Sequence, residues 1–222
     1  MKKISIKELA PLLTTDRKSR IDKVLSQRTK GISILLEDIY QSHNISAVLR
    51  TCDNLGIQNI YIIQDYNKVI LAKGVSLGSE KWITLKIKDK ATSKKEYIRS
   101  LKNQGFKIIS TVPPTKEKSI NVNSLKITKK MIIAFGNEEK GLSNDIIQES
   151  DSLVSIPMHG FNESYNISVS CAIVMNQLII DAKKQNKLTN LTEKEKSDLR
   201  FDWYMKSIKH ARKVVKNLAK NK

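Results

Sequence analysis

Apolar positions along this chain follow two rhythms. Short continuous runs, Ile32–Leu36 (ISILL), Asn59–Gln64 (NIYIIQ), Phe106–Val112 (FKIISTV), Met131–Phe135 (MIIAF) and Leu153–Pro157, read as buried strands. Trp82–Ile87 reads as a further strand, and Pro113-Pro114 stops the Phe106–Val112 run. Between the runs lie stretches with helical spacing: Asn44–Leu55, ended by Gly56, and Thr92–Asn103, closed by Gly105. Ser143 caps a short helix reaching about Ser150. Asn166–Ala182 is apolar on almost every face, which predicts a buried helix. The first thirty residues read as one or two short basic helices, with Asp16 or Ser19 capping Arg20–Arg28.

Alternation of strand and helix predicts an α/β fold with a mostly parallel sheet covered by helices. Ligands of such sheets sit outside the carboxyl ends of the strands. Three polar or glycine-rich loops leave strand ends here, Asp38–Asn44, Gly136–Ser143 and Met158–Asn166, and chemistry is expected where they converge. At the other end of the chain two stripes are predicted on opposite faces of one helix. Tyr204, Ile208, Ala211, Val215 and Leu218 form the apolar one; Lys206, Lys209, Lys213, Lys216 and Lys220 form the basic one.

Charge changes the picture. Among 222 residues Lys+Arg is 40 and Asp+Glu 22, a formal net of +18. The excess is concentrated at the two ends, residues 1–30 and 181–222, around a nearly balanced middle. Basic arms of this kind point to nucleic acid, with lysine stripes suited to phosphate contacts. Two cysteines, Cys52 and Cys171, and three histidines offer neither a disulfide framework nor a metal-ligand cluster. The opening MKKISIKELAPLL lacks the apolar segment of a secretion signal, and no apolar run is long enough for a membrane span. A reduced cytoplasmic protein without a metal is therefore expected. No G-x-G-x-x-G follows the first strand, which argues against a dinucleotide-binding oxidoreductase.

Three segments carry a resemblance. They are Asn44-Ile-Ser-Ala-Val-Leu-Arg50-Thr-Cys-Asp-Asn-Leu-Gly56, Ile133-Ala-Phe-Gly136-Asn-Glu138-Glu-Lys-Gly141-Leu-Ser143 and Ile156-Pro-Met-His-Gly-Phe-Asn-Glu-Ser164-Tyr165-Asn166-Ile-Ser168-Val-Ser170. In order and spacing they resemble the three motifs of the SpoU/TrmH family of SPOUT RNA ribose 2′-O-methyltransferases, and Gly78-Ser-Glu-Lys-Trp82 adds to the likeness. The resemblance implies a catalytic domain over residues 31–185, with basic helical extensions at 1–30 and 186–222. It also implies a deep trefoil knot in the C-terminal part, S-adenosylmethionine as cofactor, and a homodimer.

It implies roles for residues as well. Arg50 is the expected catalytic residue, pairing with an RNA phosphate and orienting the ribose hydroxyl. A guanidinium is too weak an acid to serve as a general base near neutral pH. His43 is an alternative proton acceptor. Asn44 and Arg50 are six residues apart, about 120° around a helix, so they border one pocket only if the helix end faces it. Glu138 is expected to bind backbone amides and fix Asn44 or the cofactor loop. Thr111, Gly136, Ile156, Ser164, Tyr165 and Asn166 are expected around the cofactor, with Asn166 also capping the helix that follows it. Tyr165 departs from the leucine common at its position, which alters the pocket's shape. The implied activity is methylation of tRNA guanosine-18. Alternatives are ribosomal RNA or another tRNA site, and a catalytically silent RNA-binding or ribosome-assembly protein. Enzymes of the ribosomal RNA type often carry an additional N-terminal RNA-binding domain, and the thirty residues before Ile32 are too few for one, so tRNA is the expected substrate.

Overall fold

The structure, a computed structural model, describes residues 4–215 apart from 73, 117, 163 and 212. The chain runs through α1 (Ile6–Leu9), α2 (Thr15–Ser26), β1 (Ile32–Glu37), α3 (Ser42–Asn54), β2 (Asn59–Ile63), β3 (Thr84–Ile87) and α4 (Lys94–Asn103). It continues through β4 (Lys107–Thr111), β5 (Ser119–Asn121), β6 (Met131–Phe135), α5 (Asn144–Glu149), β7 (Ser152–Ser155), α6 (Ile167–Lys184) and α7 (Glu193–Ser207). These elements fall into two compact units, Thr29–Thr189 and Met1–Arg28 with Asn190–Lys222.

The larger unit is built on a seven-stranded sheet in the order β3-β2-β1-β6-β4-β7-β5, and every pairing is parallel. Strand residues alternate between its faces. Ile32, Ile34 and Leu36 of β1 pack with Val48 and Cys52 of α3 and Cys171 and Leu178 of α6. Leu35 faces the other way, toward Ile98 of α4 and Ile146 of α5. Helices thus cover both faces, which explains why the strands read as continuous apolar runs rather than alternating ones.

Local signals explain several boundaries. Gly56 and Gly105 adopt positive φ just past α3 and α4, as their glycine stops require. Ser93 opens α4 through a reciprocal capping box with Glu96. The short edge strand β5 carries too few apolar residues to announce itself. Two expectations are corrected in the terminal unit. The second basic helix starts at Thr15, capped by Thr14, whose hydroxyl accepts the Arg17 amide at 3.2 Å, and neither Asp16 nor Ser19 is the cap. The predicted long C-terminal helix ends at Ser207: Ile208 is extended and His210 has φ +54°. Its two stripes therefore do not run along one helix, and Lys216, Leu218 and Lys220 lie outside the described residues. In the same unit the Arg28 guanidinium lies over the buried Trp203 ring at 5.3 Å.

A third correction concerns α6. One side is buried through Cys171, Val174, Met175, Leu178 and Ile179, but Val169, Ile173 and Ile180 are exposed on the opposite side. Among the described residues no helix is long and apolar enough to cross a membrane.

Candidate active site

The carboxyl ends of β4, β6 and β7 open into a cavity of about 720 Å³. Thr111 reaches it from β4, Gly136 from the turn after β6, and Ile156 from beyond β7. Asn44 reaches it from the first turn of α3, and Ser164, Tyr165 and Asn166 from the loop leading into α6. The three loops singled out by their polar and glycine-rich content do converge.

One directional chain of hydrogen bonds joins them. The Glu138 carboxylate accepts the Tyr40 amide at 3.1 Å, the Gln41 amide at 3.3 Å and Asn44 Nδ2 at 2.7 Å. An ionised carboxylate only accepts, so Asn44 must present its NH₂ to Glu138 and its oxygen elsewhere. That oxygen accepts Asn166 Nδ2 at 3.0 Å. The Asn166 oxygen in turn accepts the Ser168 amide at 2.8 Å and its hydroxyl at 2.6 Å, capping α6. Each amide orientation is fixed by its neighbour, and Glu138 sets the direction for all. Burial pushes the Glu138 carboxyl up, but the bonds from Asn44, Tyr40 and Gln41 prevail and hold it below its ordinary range.

Glu138 rides on a tight turn. Asn137 and Gly141 exchange backbone hydrogen bonds of 3.0 and 2.9 Å, with Gly141 at φ +67°. A Cβ at Gly136 would run into the Gly141 and Leu142 backbone, so the chain passes itself there only because residue 136 has no side chain. The Asn137 side-chain oxygen accepts the Glu139 and Lys140 amides, shaping the same turn. Thr111 donates its hydroxyl to the Ala134 carbonyl at 2.8 Å, tying β4 to β6 and leaving its lone pairs for a ligand.

Arg50 is not brought to this cavity. It is exposed, does not line the cavity, and its guanidinium makes no hydrogen bond or ion pair among the described residues. His43 is also exposed and off the cavity wall. The open end of α3 does face the cavity, but only through Gln41 and Asn44; Arg50, about 120° round, points off it. Sequence reasoning missed Gln41, Lys116 and Lys140 on the wall. Lys116 follows the Pro113-Pro114 strand stop, a loop signal that could have flagged it.

The sequence profile of the SpoU rRNA Methylase family matches residues 31–176. The tRNA (guanosine(18)-2′-O)-methyltransferase of Borreliella burgdorferi is 42% identical over 217 residues, 98% of this chain and 93% of its own length. The crystal structure of the Aquifex aeolicus TrmH/SpoU tRNA modifying enzyme superposes with a TM-score of 0.79 at 27% identity, covering 87% of this chain and 98% of that one. The SpoU methyltransferase AviRb from Streptomyces viridochromogenes, solved in complex with the cofactor AdoMet, shares the fold at a TM-score of 0.60 and 20% identity, over 72% of this chain and 61% of that one.

Proposed function

The chain belongs to the SpoU rRNA methylase family, and on that premise we propose that it transfers a methyl group from S-adenosylmethionine to the ribose 2′-hydroxyl of guanosine-18 in tRNA. The observation that carries this reading is the hydrogen-bond chain Glu138–Asn44–Asn166, which ties all three motifs to one cavity. The relative from Borreliella burgdorferi, alike along almost the whole chain, supports tRNA as substrate.

The cavity suits the cofactor. Its volume of about 720 Å³ lies in the range that cofactor-sized ligands occupy. Phe135, Val154 and Ile156 give an apolar wall for an adenine, and Lys116 gives a cation for a carboxylate. When bound, S-adenosylmethionine supplies the electrophilic methyl group. Thr111, Gly136, Ile156, Ser164, Tyr165 and Asn166 hold it, while Asn44 and Glu138 fix the wall beside it. Arg50 binds an RNA phosphate, orients the ribose hydroxyl and stabilises the alkoxide that develops as its proton leaves.

Arg50 lies off its own chain's cavity, so the working enzyme is a homodimer in which Arg50 of one chain completes the cavity of the other. The exposed Val169, Ile173 and Ile180 on α6 support a second chain as their cover. The trefoil knot is supported by β7 standing between β4 and β5, strands consecutive in the chain. The catalytic domain is residues 31–185, and the basic extensions at 1–30 and 186–222 contact RNA phosphates. A tRNA substrate places the protein in the cytoplasm.

The test is methyl transfer from labelled S-adenosylmethionine to unmodified tRNA and to ribosomal RNA, with the modified nucleotide mapped. A 2′-O-methyl group on guanosine-18 is expected. A mark on another nucleotide would keep the chemistry and replace the substrate. Cofactor uptake without transfer to either RNA would point to another RNA target. Failure to take up the cofactor would favour a silent RNA-binding protein.

A further inference from the structure

The carboxyl end of β1 carries two acids outside the three motifs. Glu37 and Asp38 are only 2% and 6% exposed. Carboxylates at that depth need a counter-charge and full hydrogen bonding. Lys94, in the first turn of α4, supplies the charge: its ammonium lies 2.6 Å from Glu37 Oε1 and 3.1 Å from Asp38 Oδ2. The other groups facing it are Asp65 at 4.0 Å, itself paired with Lys88 at 2.8 Å, and the Tyr66 ring at 5.4 Å. Burial lowers the Lys94 pKa, but the bonds and charges of Glu37 and Asp38 outweigh it and hold the ammonium above its ordinary value.

What these acids do with their remaining capacity is informative. Glu37 Oε2 accepts the Ser143 amide at 2.8 Å. The Asp38 carbonyl accepts Asn137 Nδ2 at 2.8 Å. Asn137 and Ser143 bracket the turn that presents Glu138. Asp38 keeps a left-handed φ of 48°, a conformation a non-glycine residue holds only where its surroundings enforce it. The turn is therefore fastened at both ends to one charged knot, two of whose three members carry negative charge.

We infer that Lys94 is a positioning residue for the cavity: by neutralising Glu37 and Asp38 it clamps both ends of the Asn137–Ser143 turn, and with it Glu138, to the end of β1. Lys94 belongs to none of the three motifs and does not line the cavity. The inference rests on the cavity being the S-adenosylmethionine site only for its effect on affinity, not for the clamp itself.

Two readouts on the full chain separate those matters: amide hydrogen exchange of the Asn137–Ser143 segment, and titration with S-adenosylmethionine. In Lys94→Met, exchange in that segment is expected to quicken by on the order of tenfold while the amides of α6 keep their protection. Cofactor affinity at about pH 8 should weaken by a similar factor. Lys94→Arg should restore both. So should Glu37→Gln in the Lys94→Met background, because glutamine keeps an oxygen for the Ser143 amide and removes one of the two carboxylate charges that Lys94 neutralises. Unchanged exchange in Lys94→Met would overturn the inference. So would a loss that Glu37→Gln does not repair, since that loss would be one of packing rather than charge. If the wild-type chain binds no S-adenosylmethionine, the reading of the cavity fails, while the exchange data still decide the clamp.

Discussion

Asn44 is held from both sides, and its two partners make opposite demands on it. Glu138 requires a donor; Asn166 offers one. Only a carboxamide meets both, which is why an asparagine stands at this point rather than an acid or an amine. Glu138→Gln replaces one accepting oxygen with an NH₂ that must face a backbone amide or Asn44 itself. Cofactor affinity should fall by on the order of tenfold, the equivalent of about 1.4 kcal/mol. The pH dependence has a definite sign. The Glu138 carboxyl is held below its ordinary range, so its contribution is complete above that range and is lost as the pH falls through the depressed value. Acid titration of cofactor binding should show that loss in the wild type and be flatter in Glu138→Gln. Arg50→Ala should behave differently. Arg50 does not line the cavity, so cofactor affinity should stay within about twofold, while turnover falls by at least on the order of a hundredfold. A parallel loss of affinity would mean that Arg50 shapes the cavity rather than the reaction.

Among the elements, the glycine turn after β6 shows what a motif encodes and what it leaves unsaid. Its two glycines were visible as a break after an apolar run, and the strand before it was legible because a strand buried on both faces is continuously apolar. Unusual backbone angles and close approach are both expected of the two glycines, but which does which was not legible: Gly141 takes the positive φ and Gly136 the close passage by Gly141 and Leu142. Gly136→Ala should therefore cost about 1–3 kcal/mol of stability and disable the cavity, since the obstructing atoms are backbone. Gly160→Ala is the control: nothing lies within 4 Å of its Cβ, and thermal unfolding should be nearly unchanged. If both variants melt alike, close passage of the chain is not what Gly136 provides. Elsewhere periodicity misled for identifiable reasons. The apolar and basic stripes from Tyr204 onward satisfy helical spacing, yet the backbone turns at Ile208 and His210, and spacing alone carries no stop signal where no glycine or proline stands. The lysine clamp escaped notice because Glu37, Asp38 and Lys94 look like ordinary surface charges until β1 and α4 are brought together.

At the scale of the whole molecule, the sequence pattern led to the parallel sheet and to the converging loops, because both follow from local rhythm. It could not lead to the order of the strands. That β7 enters between β4 and β5 depends on long-range pairing, which leaves no periodic trace. Nor does periodicity say what covers α6, whose apolar residues on both sides read as one buried helix and divide in the structure into a buried face and an exposed one. The exposed face and the distance of Arg50 from its own cavity are two deficits that a second chain would meet together. The arrangement can be tested by complementation. Chains carrying Arg50→Ala keep the cavity and lose the guanidinium; chains carrying Gly136→Ala lose the cavity and keep it. Each homodimer should be inactive. A purified mixed dimer contains one sound cavity facing one intact Arg50 across the interface, and should recover up to about half of wild-type turnover, one site of two. If Arg50 serves the cavity of its own chain, no arrangement within the mixed dimer unites the two intact parts, and turnover stays at background. Sedimentation of the wild type fixes the premise, since a monomer at working concentration would leave the Val169–Ile180 face without its proposed cover.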